Sequence, residues 1–404
     1  MISLETPRKF APLVSQARQV ATEVFRPISR KYDLAEHAYP KELDMLASLI
    51  DGVNAGSDIG GAGAAGVRRE HSAAGDTANR NGSNLSTVLS VMELCWGDVG
   101  LLLTMPRQGL GNAAIASVAN EEQLTRFDGR WAAMAITEPE AGSDSAAIRT
   151  TAVLDGDEYV LNGEKIYVTS GERADLIVVW ATLDRSKGRA AIKSFVVERD
   201  NPGLKLDRLE HKLGIRASDT AAFRLEDCRV PKDDMLGSPA VDDKKGFGGA
   251  MQTFDNTRPL VAAMAVGLTR ACLQETRAQL ERAGVQIDDA APAYAQHAAA
   301  ARMQAMEADY EAARLLTLQA AWMADNSRPN SLHASMAKAK AGRTCVEVAL
   351  ACVELCGSVG YSESNLLEKW ARDAKILDIF EGTQQIQLLI VARQLLGKTS
   401  ADLR

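Results

Sequence analysis

Five short segments carry the side chains best placed to do chemistry. In Phe-Glu-Gly-Thr-Gln-Gln-Ile-Gln (380–387), Gly382 breaks the chain, Thr383 is placed to cap the next helix, and Glu381 stands just ahead of it. A carboxylate there is favoured by the helix dipole, worth a few tenths of a kcal/mol to about one. In Thr-Glu-Pro-Glu-Ala-Gly-Ser-Asp (137–144), after the strand-like Trp-Ala-Ala-Met-Ala-Ile, a Thr, a Gly and a Ser at a strand end offer backbone N–H groups and hydroxyls to an anionic or polar ligand. An ordinary polar turn reads the same way. In Lys-Ile-Tyr-Val-Thr-Ser-Gly (165–171), Tyr167 and Thr169 alternate onto one strand face, where a ring can stack and a hydroxyl can bond to a planar ligand. A solvent-facing aromatic on a sheet is equally ordinary. Phe-Asp-Asn-Thr-Arg-Pro (254–259) is predicted to open a helix, with Pro259 early in it and Arg258 just before. The last segment pairs Cys-Gly-Ser-Val-Gly-Tyr (356–361) with Arg-Asp-Ala-Lys-Ile (372–376), where Arg372 and Asp373 could simply bind their neighbours.

The elements that must position these segments fall into three blocks: 1–130 helical, 131–240 β, and 241–404 helical. The first block has apolar residues at spacings of three and four in 7–33 and again in 84–105. Between them, 51–84 is crowded with Gly, Ala, Asn, Asp and Ser and is predicted to be a mobile loop. Its glycines have no preceding β-branched strand, so a dinucleotide fingerprint is disfavoured. From Trp131 to Pro231 short β-rich runs alternate with turns, and Asp155-Gly156 and Asn162-Gly163 are placed for tight hairpins. With no long helix in that block, a parallel sheet is not expected. From about Gly246 the chain is Ala-rich and helical. Met303, Met306, Tyr310 and Ala313 form one core stripe; Ala337, Ala341, Cys345, Val348, Cys352 and Leu355 form another. A break is expected at 325–329, and Gly357 and Gly360 suit a C-cap.

The chain has 404 residues, 46% of them apolar, and 46 Lys and Arg against 53 Asp and Glu, for a net charge of −7. That composition excludes disorder, and without a long basic run a nucleic-acid partner is not expected. No stretch reaches about 18 uninterrupted apolar residues, and the N-terminal residues lack a signal-peptide pattern, so a cytoplasmic protein without a membrane span is expected. The six cysteines form no C-x-x-C pair. Cys352 and Cys356 share a helical face but sit among apolar neighbours, so no metal is expected and buried thiols are.

Taken together, and in this order, these strings and Leu-Gly-Ile-Arg-Ala-Ser (213–218) resemble the acyl-CoA dehydrogenase family from end to end. The resemblance implies a mainly α fold with a central β domain: an N-terminal helical domain, a middle β-barrel or sandwich, and a C-terminal helical bundle. It implies FAD as cofactor, contacted by Met134, Ile136, Thr137, Gly142, Ser143, Tyr167, Thr169, Thr383 and Gln385. Tyr167 stands where members often have Trp, and Ser143 also falls near the bound CoA. Arg258 matches the substrate-side arginine, Phe254 and Asp255 the CoA-contacting pair, and Gly382 the substrate side of the catalytic loop. Glu381 matches the commonest position of the base, which removes an α proton from an acyl-CoA thioester while the β hydrogen leaves as hydride, giving a trans-2-enoyl-CoA. In the family the thioester carbonyl is held by a ribityl hydroxyl of FAD and by the base's own N–H, and burial raises the carboxyl's pKa. A minority of members place the base where this chain has Thr257. The expected electron acceptor is an electron-transfer flavoprotein.

Family homotetramers complete each FAD site with a neighbour's arginine, followed by Phe-Gly, and with a later Gln. Here Arg282 is present, but Val285 and Gln286 replace Phe-Gly, and Glu354 stands where Gln is expected. An anion there repels a pyrophosphate. The sequence therefore leaves two assemblies open: a homotetramer, or an α2β2 tetramer with a paralogous subunit supplying the adenine-side contacts. A partner subunit with little activity alone and a flavin oxidase or monooxygenase are the alternative functions.

Overall fold

The computed structural model describes residues 6–47, 81–106, 110–241, 248–399 and 402, with the side chains of 248–256 outside the description. The predicted loop 51–84 lies outside the described residues as far as position 80. Its last two residues already belong to a helix.

The N-terminal part is helical. α1 (Ala11–Val20) runs through a π-helical turn (Ala21–Phe25) into α2 (Arg26–Leu34), followed by α3 (42–47). α4 (Ser83–Gly97) is buried along nearly its whole length, as its lack of a polar face requires. Asp98 caps α5 (Val99–Thr104) by accepting from the Leu101 N–H at 2.8 Å. α6 (Leu110–Val118) and α7 (Glu121–Arg126) follow, the latter opened by a capping box of Asn120 and Gln123.

Eight strands then form one mixed sheet: β1 (Ala132–Ala135), β2 (Thr151–Asp155), β3 (Glu158–Thr169), β4 (Leu176–Thr182), β5 (Ile192–Glu198), β6 (Leu204–Leu209), β7 (Thr220–Pro231) and β8 (Met235–Leu236). The order is β6-β7-β3-β2-β4-β5-β8, with β1 beside β4. The hairpin at Asp155-Gly156 forms, with Gly156 at φ 65°. The sheet is mainly antiparallel, as expected, with one refinement and one correction. β1 and β2 both pair with β4 in parallel, because the β2–β3 hairpin and its flanking loops serve as the crossover that a helix usually provides. Asn162-Gly163 is no hairpin but a bulge inside β3, where Gly163 (φ 154°) brings its backbone so close to Thr150 that a Cβ would lie 2.7 Å from the Thr150 Cα.

The C-terminal part is a bundle of α8 (Gly248–Arg282), α9 (Ala298–Asp325), α10 (Ser331–Tyr361), α11 (Leu367–Leu377) and α12 (Gln384–Leu396). It shares one hydrophobic core with the N-terminal helices, in which Met303, Met306, Ala313, Ala337, Ala341, Cys345, Val348 and Cys352 are buried as their spacing predicts. Five cysteines are buried and Cys356 is partly so, all as free thiols. α10 is long and apolar enough to cross a membrane by length and composition. It packs against α8, α9, α11 and α12, and it carries a wholly buried lysine, Lys338, which marks it as a core helix.

One helix start differs from expectation. Pro259 does not open a helix: it lies inside the 35-residue α8, where the segment 257–273 is almost continuously buried against α4 and α10. That packing outweighs the backbone hydrogen bond that proline removes. In α10 the helix is interrupted at Gly357 (φ 55°, ψ −128°), where the sequence places a glycine cap, and a short further helical stretch runs on to Tyr361.

Candidate functional site

The loop between α11 and α12 presents the carboxylate singled out by the sequence. Glu381 takes φ 56° and Gly382 φ 92°, both left-handed, so the chain reverses sharply before Thr383, whose hydroxyl accepts from the Ile386 N–H and caps α12. Non-glycine residues hold such a conformation only where the surroundings over-determine it. Here Gln387 Nε2 donates to the carbonyls of Glu381 and Gly382 at 3.1 Å each, and Lys338 Nζ donates to the Gly382 carbonyl at 2.7 Å. Among the described residues no acceptor takes the Glu381 N–H.

The Glu381 carboxylate accepts a 2.6 Å hydrogen bond from the hydroxyl of the buried Thr257. The two alternative base positions of the sequence comparison thus meet in space, although 124 residues separate them. Burial pushes the Glu381 carboxyl above the usual carboxylate range, against the opposing pull of the Thr257 hydroxyl, Arg258 and Lys338. Arg258 is buried beside it on α8. Phe254 and Asp255 belong to the preceding turn of α8, and their side chains lie outside the described residues.

A second group of the expected residues gathers on the sheet. The loop after β1 is tied to β3 by the Ile166 N–H donating to the Thr137 carbonyl at 2.9 Å. Beneath this tie lies a buried ion pair that sequence reasoning missed: Lys165 Nζ stands 2.7 Å from Glu138 Oε1 and 3.2 Å from the Ile136 carbonyl. Glu138 also accepts from the Thr150 hydroxyl and from the Arg149 and Thr150 N–H groups. Burial brings Lys165 down to about 8 despite Glu138; Glu138, which burial alone would raise, is held below its ordinary range mainly by Lys165. The pair fixes the two segments that flank the predicted flavin face.

On that face, Met134, Ile136, Thr137 and Thr169 are partly exposed, and Gly142 and Ser143 are exposed. Tyr167 is 62% exposed and sits at a second bulge of β3 with φ 58°, so simple strand alternation does not place it. Across from Thr169, Thr220 has a buried hydroxyl without a partner, as has nearby Ser218. An exposed ring, partly exposed residues and orphaned hydroxyls gathered at the neighbouring ends of β3 and β7 fit a planar, polar-rimmed ligand. Gln385 is exposed at the start of α12, and Arg282 is exposed at the end of α8.

Residues 372–373 of the last segment have a structural explanation. Arg372 binds Asp33 and Glu368, while Asp373 binds Lys369 and the Ile215 N–H. Glu36, His37 and His211 bring ligand-type atoms within 4.8 Å of one another; the Glu36–His211 contact at 2.9 Å is an ion pair when the imidazole is protonated.

A helical, β, helical chain whose sheet face fits a planar cofactor and whose C-terminal bundle presents a part-buried carboxylate of raised pKa has the architecture of a flavin-dependent dehydrogenase. Known proteins agree. Residues 133–228 match the acyl-CoA dehydrogenase middle domain and residues 244–396 the acyl-CoA dehydrogenase C-terminal domain. The chain is 32% identical over 387 residues to a short-chain specific acyl-CoA dehydrogenase of Clostridium acetobutylicum, covering 93% of this chain and 94% of that one. It is 33% identical to the mitochondrial short-chain specific enzyme of Bos taurus, covering 98% and 92%. The solved butyryl-CoA dehydrogenase of Megasphaera elsdenii superposes with a TM-score of 0.83 at 30% identity, covering 98% of this chain and all of that one. The chain belongs to the acyl-CoA dehydrogenase family and is an oxidoreductase that uses FAD.

Proposed function

We propose that the chain oxidises the α,β bond of a short acyl-CoA thioester to the trans-2-enoyl-CoA, with Glu381 as the base that takes the α proton. The observation that carries this reading is the Glu381 carboxylate itself: oriented by Thr257, flanked by Arg258, and raised in pKa by burial. A raised carboxyl is a stronger proton acceptor once ionised, which suits a weakly acidic α proton. The Glu381 N–H, without an acceptor among the described residues, is available to the thioester oxygen as enolate charge develops.

Met134, Ile136, Thr137, Gly142, Ser143, Tyr167, Thr169, Thr383 and Gln385 would hold FAD, which when bound supplies the hydride acceptor. Arg258, Phe254, Asp255, Ser143 and Gly382 would line the substrate side. Electrons leave to an electron-transfer flavoprotein in this reading, and the free thiols suit a cytosolic enzyme. The names of the relatives make butyryl-CoA the first substrate to try. Anaerobic mixing with a panel of acyl-CoAs tests the proposal: flavin absorbance bleached by one chain-length class supports it, and no bleaching by any thioester refutes it. Fast reoxidation in air would mark an oxidase instead.

A specific observation favours pairing with a paralogue. Val285, standing where the family's Phe would reach a neighbour, packs partly buried against this chain's own core. Glu354 is exposed and held 2.7 Å from Arg302, leaving an ion pair where a neighbour's pyrophosphate would approach. We infer that the face lent to a second subunit's FAD is inoperative and that the working assembly is α2β2. The expected result is about half a flavin per chain in a complex of two different subunits, read from flavin absorbance and subunit mass. Full loading of a homotetramer of the lone chain excludes it.

A further inference from the structure

The base loop is held by a residue from a distant helix. Lys338 lies in the middle of α10, 43 positions before Glu381, and is wholly buried. Its ammonium reaches the Gly382 carbonyl at 2.7 Å. The other restraint on that peptide, Gln387, comes from the helix the loop itself opens and moves with it. Among the described residues, Lys338 alone ties the carbonyl to the core of the bundle.

We propose that Lys338 is a positioning residue for proton abstraction: it clamps the Gly382 carbonyl, fixes the left-handed turn that aims Glu381, and places a cation beside the reacting carboxylate. This rests on Glu381 being the base. The charged groups facing Lys338 are Asp378 at the end of α11, Glu381 in the loop and Arg258 on α8. Burial lowers the ammonium to about 8, with Asp378 and Glu381 opposing the shift and Arg258 adding to it. Below that pH the lysine is charged, and its field lowers the pKa of Glu381. Lys338 thus limits how far burial raises the base, while the clamp keeps its orientation.

The two contributions separate by substitution. Lys338→Met removes charge and hydrogen bond together; Lys338→Gln removes the charge and keeps a donor. In the flavin-loaded protein with butyryl-CoA, Lys338→Met is expected to lower kcat by about 10- to 100-fold, the scale of a misaimed reacting group, with KM changed less than about threefold. The acid limb of kcat/KM moves to higher pH in both variants, because the cation is gone. Lys338→Gln recovers part of kcat but keeps the displaced limb. A merely structural lysine would alter thermal stability without moving that limb. Should the Met variant not fold, the Gln variant decides by its pH profile alone. An unmoved acid limb overturns the proposal while the Glu381 reading stands, provided Glu381→Gln is inactive; an active Glu381→Gln removes the base assignment itself.

Discussion

Glu381→Gln slows anaerobic flavin bleaching by a thioester by about 10²- to 10⁴-fold, the usual contribution of a positioned general base, while flavin absorbance stays that of the parent. Glutamine keeps an oxygen for the Thr257 hydroxyl, so the loop retains its cap, its left-handed turn and its tie to Lys338. What disappears is the capacity to accept a proton. In the parent, the rate rises with pH through the Glu381 pKa, because only the carboxylate is a base. That rise lies above the ordinary carboxylate range, since burial outweighs Thr257, Arg258 and Lys338. The residual activity of the variant lacks it. A rate within threefold of the parent would place the base elsewhere.

The same group has a stability signature of fixed sign. A carboxyl whose folded pKa lies above its unfolded one contributes stability that is full below the unfolded value and lost as pH rises through the folded one. The ionised Glu381 therefore lowers stability at neutral pH. Glu381→Gln is expected to melt no lower than the parent at pH 7, with the difference vanishing as pH falls below the unfolded carboxyl range. Loss of activity without loss of stability is what a functional carboxylate predicts.

The order of the blocks, the core stripes and the turn that carries Glu381 were all legible in the sequence, because each is written in local patterns. Gly382 followed by Thr383 reads locally as a break and a cap, and Met303, Met306 and Ala313 repeat with the helical period. The features that escaped depend on distant neighbours. Pro259 reads as a helix start, but burial of the surrounding turns against α4 and α10 carries the helix through it. Asn162-Gly163 reads as a turn, and only the approach of Thr150 makes it a bulge. Glu138 looks like one more acid of a polar turn until Lys165 is found beneath it. Lys338 sits among alanines in Met-Ala-Lys-Ala-Lys-Ala-Gly, and nothing in that string distinguishes the buried lysine from Lys340, which pairs with Asp309 at the surface. Clustered polar residues far apart in sequence carry no periodic signal.

A fully buried cluster of this kind is expected to weigh on stability. Lys369 is buried between Asp98 at 2.7 Å and Asp373 at 2.5 Å, and both aspartates are at most 1% exposed. Each aspartate has further donors: Asp98 caps α5 and binds the Ser29 hydroxyl, and Asp373 accepts from the Ile215 N–H. The lysine thereby joins the N-terminal helices, the 213–218 loop of the β part and α11. Its two partners hold its pKa above the ordinary lysine value against burial. Lys369→Met leaves two carboxylates facing each other in the core, and breaking a buried pair in this way costs about 3–5 kcal/mol. The variant relieves the clash by binding a proton. Burial raises the Asp373 carboxyl, Lys369 opposes this, and Asp98 adds to it, so losing the lysine raises it further. Because the folded variant then binds protons that the unfolded chain releases, its deficit grows as pH rises through that pKa and shrinks on acidification. Adding Asp373→Asn returns part of the loss at pH 7, since one of the two charges is gone and the amide still accepts from Ile215. Urea unfolding at several pH values measures all three quantities. A deficit below about 1 kcal/mol, or one that does not change with pH, would mean that water reaches the cluster and that the three parts of the chain are joined by apolar packing alone.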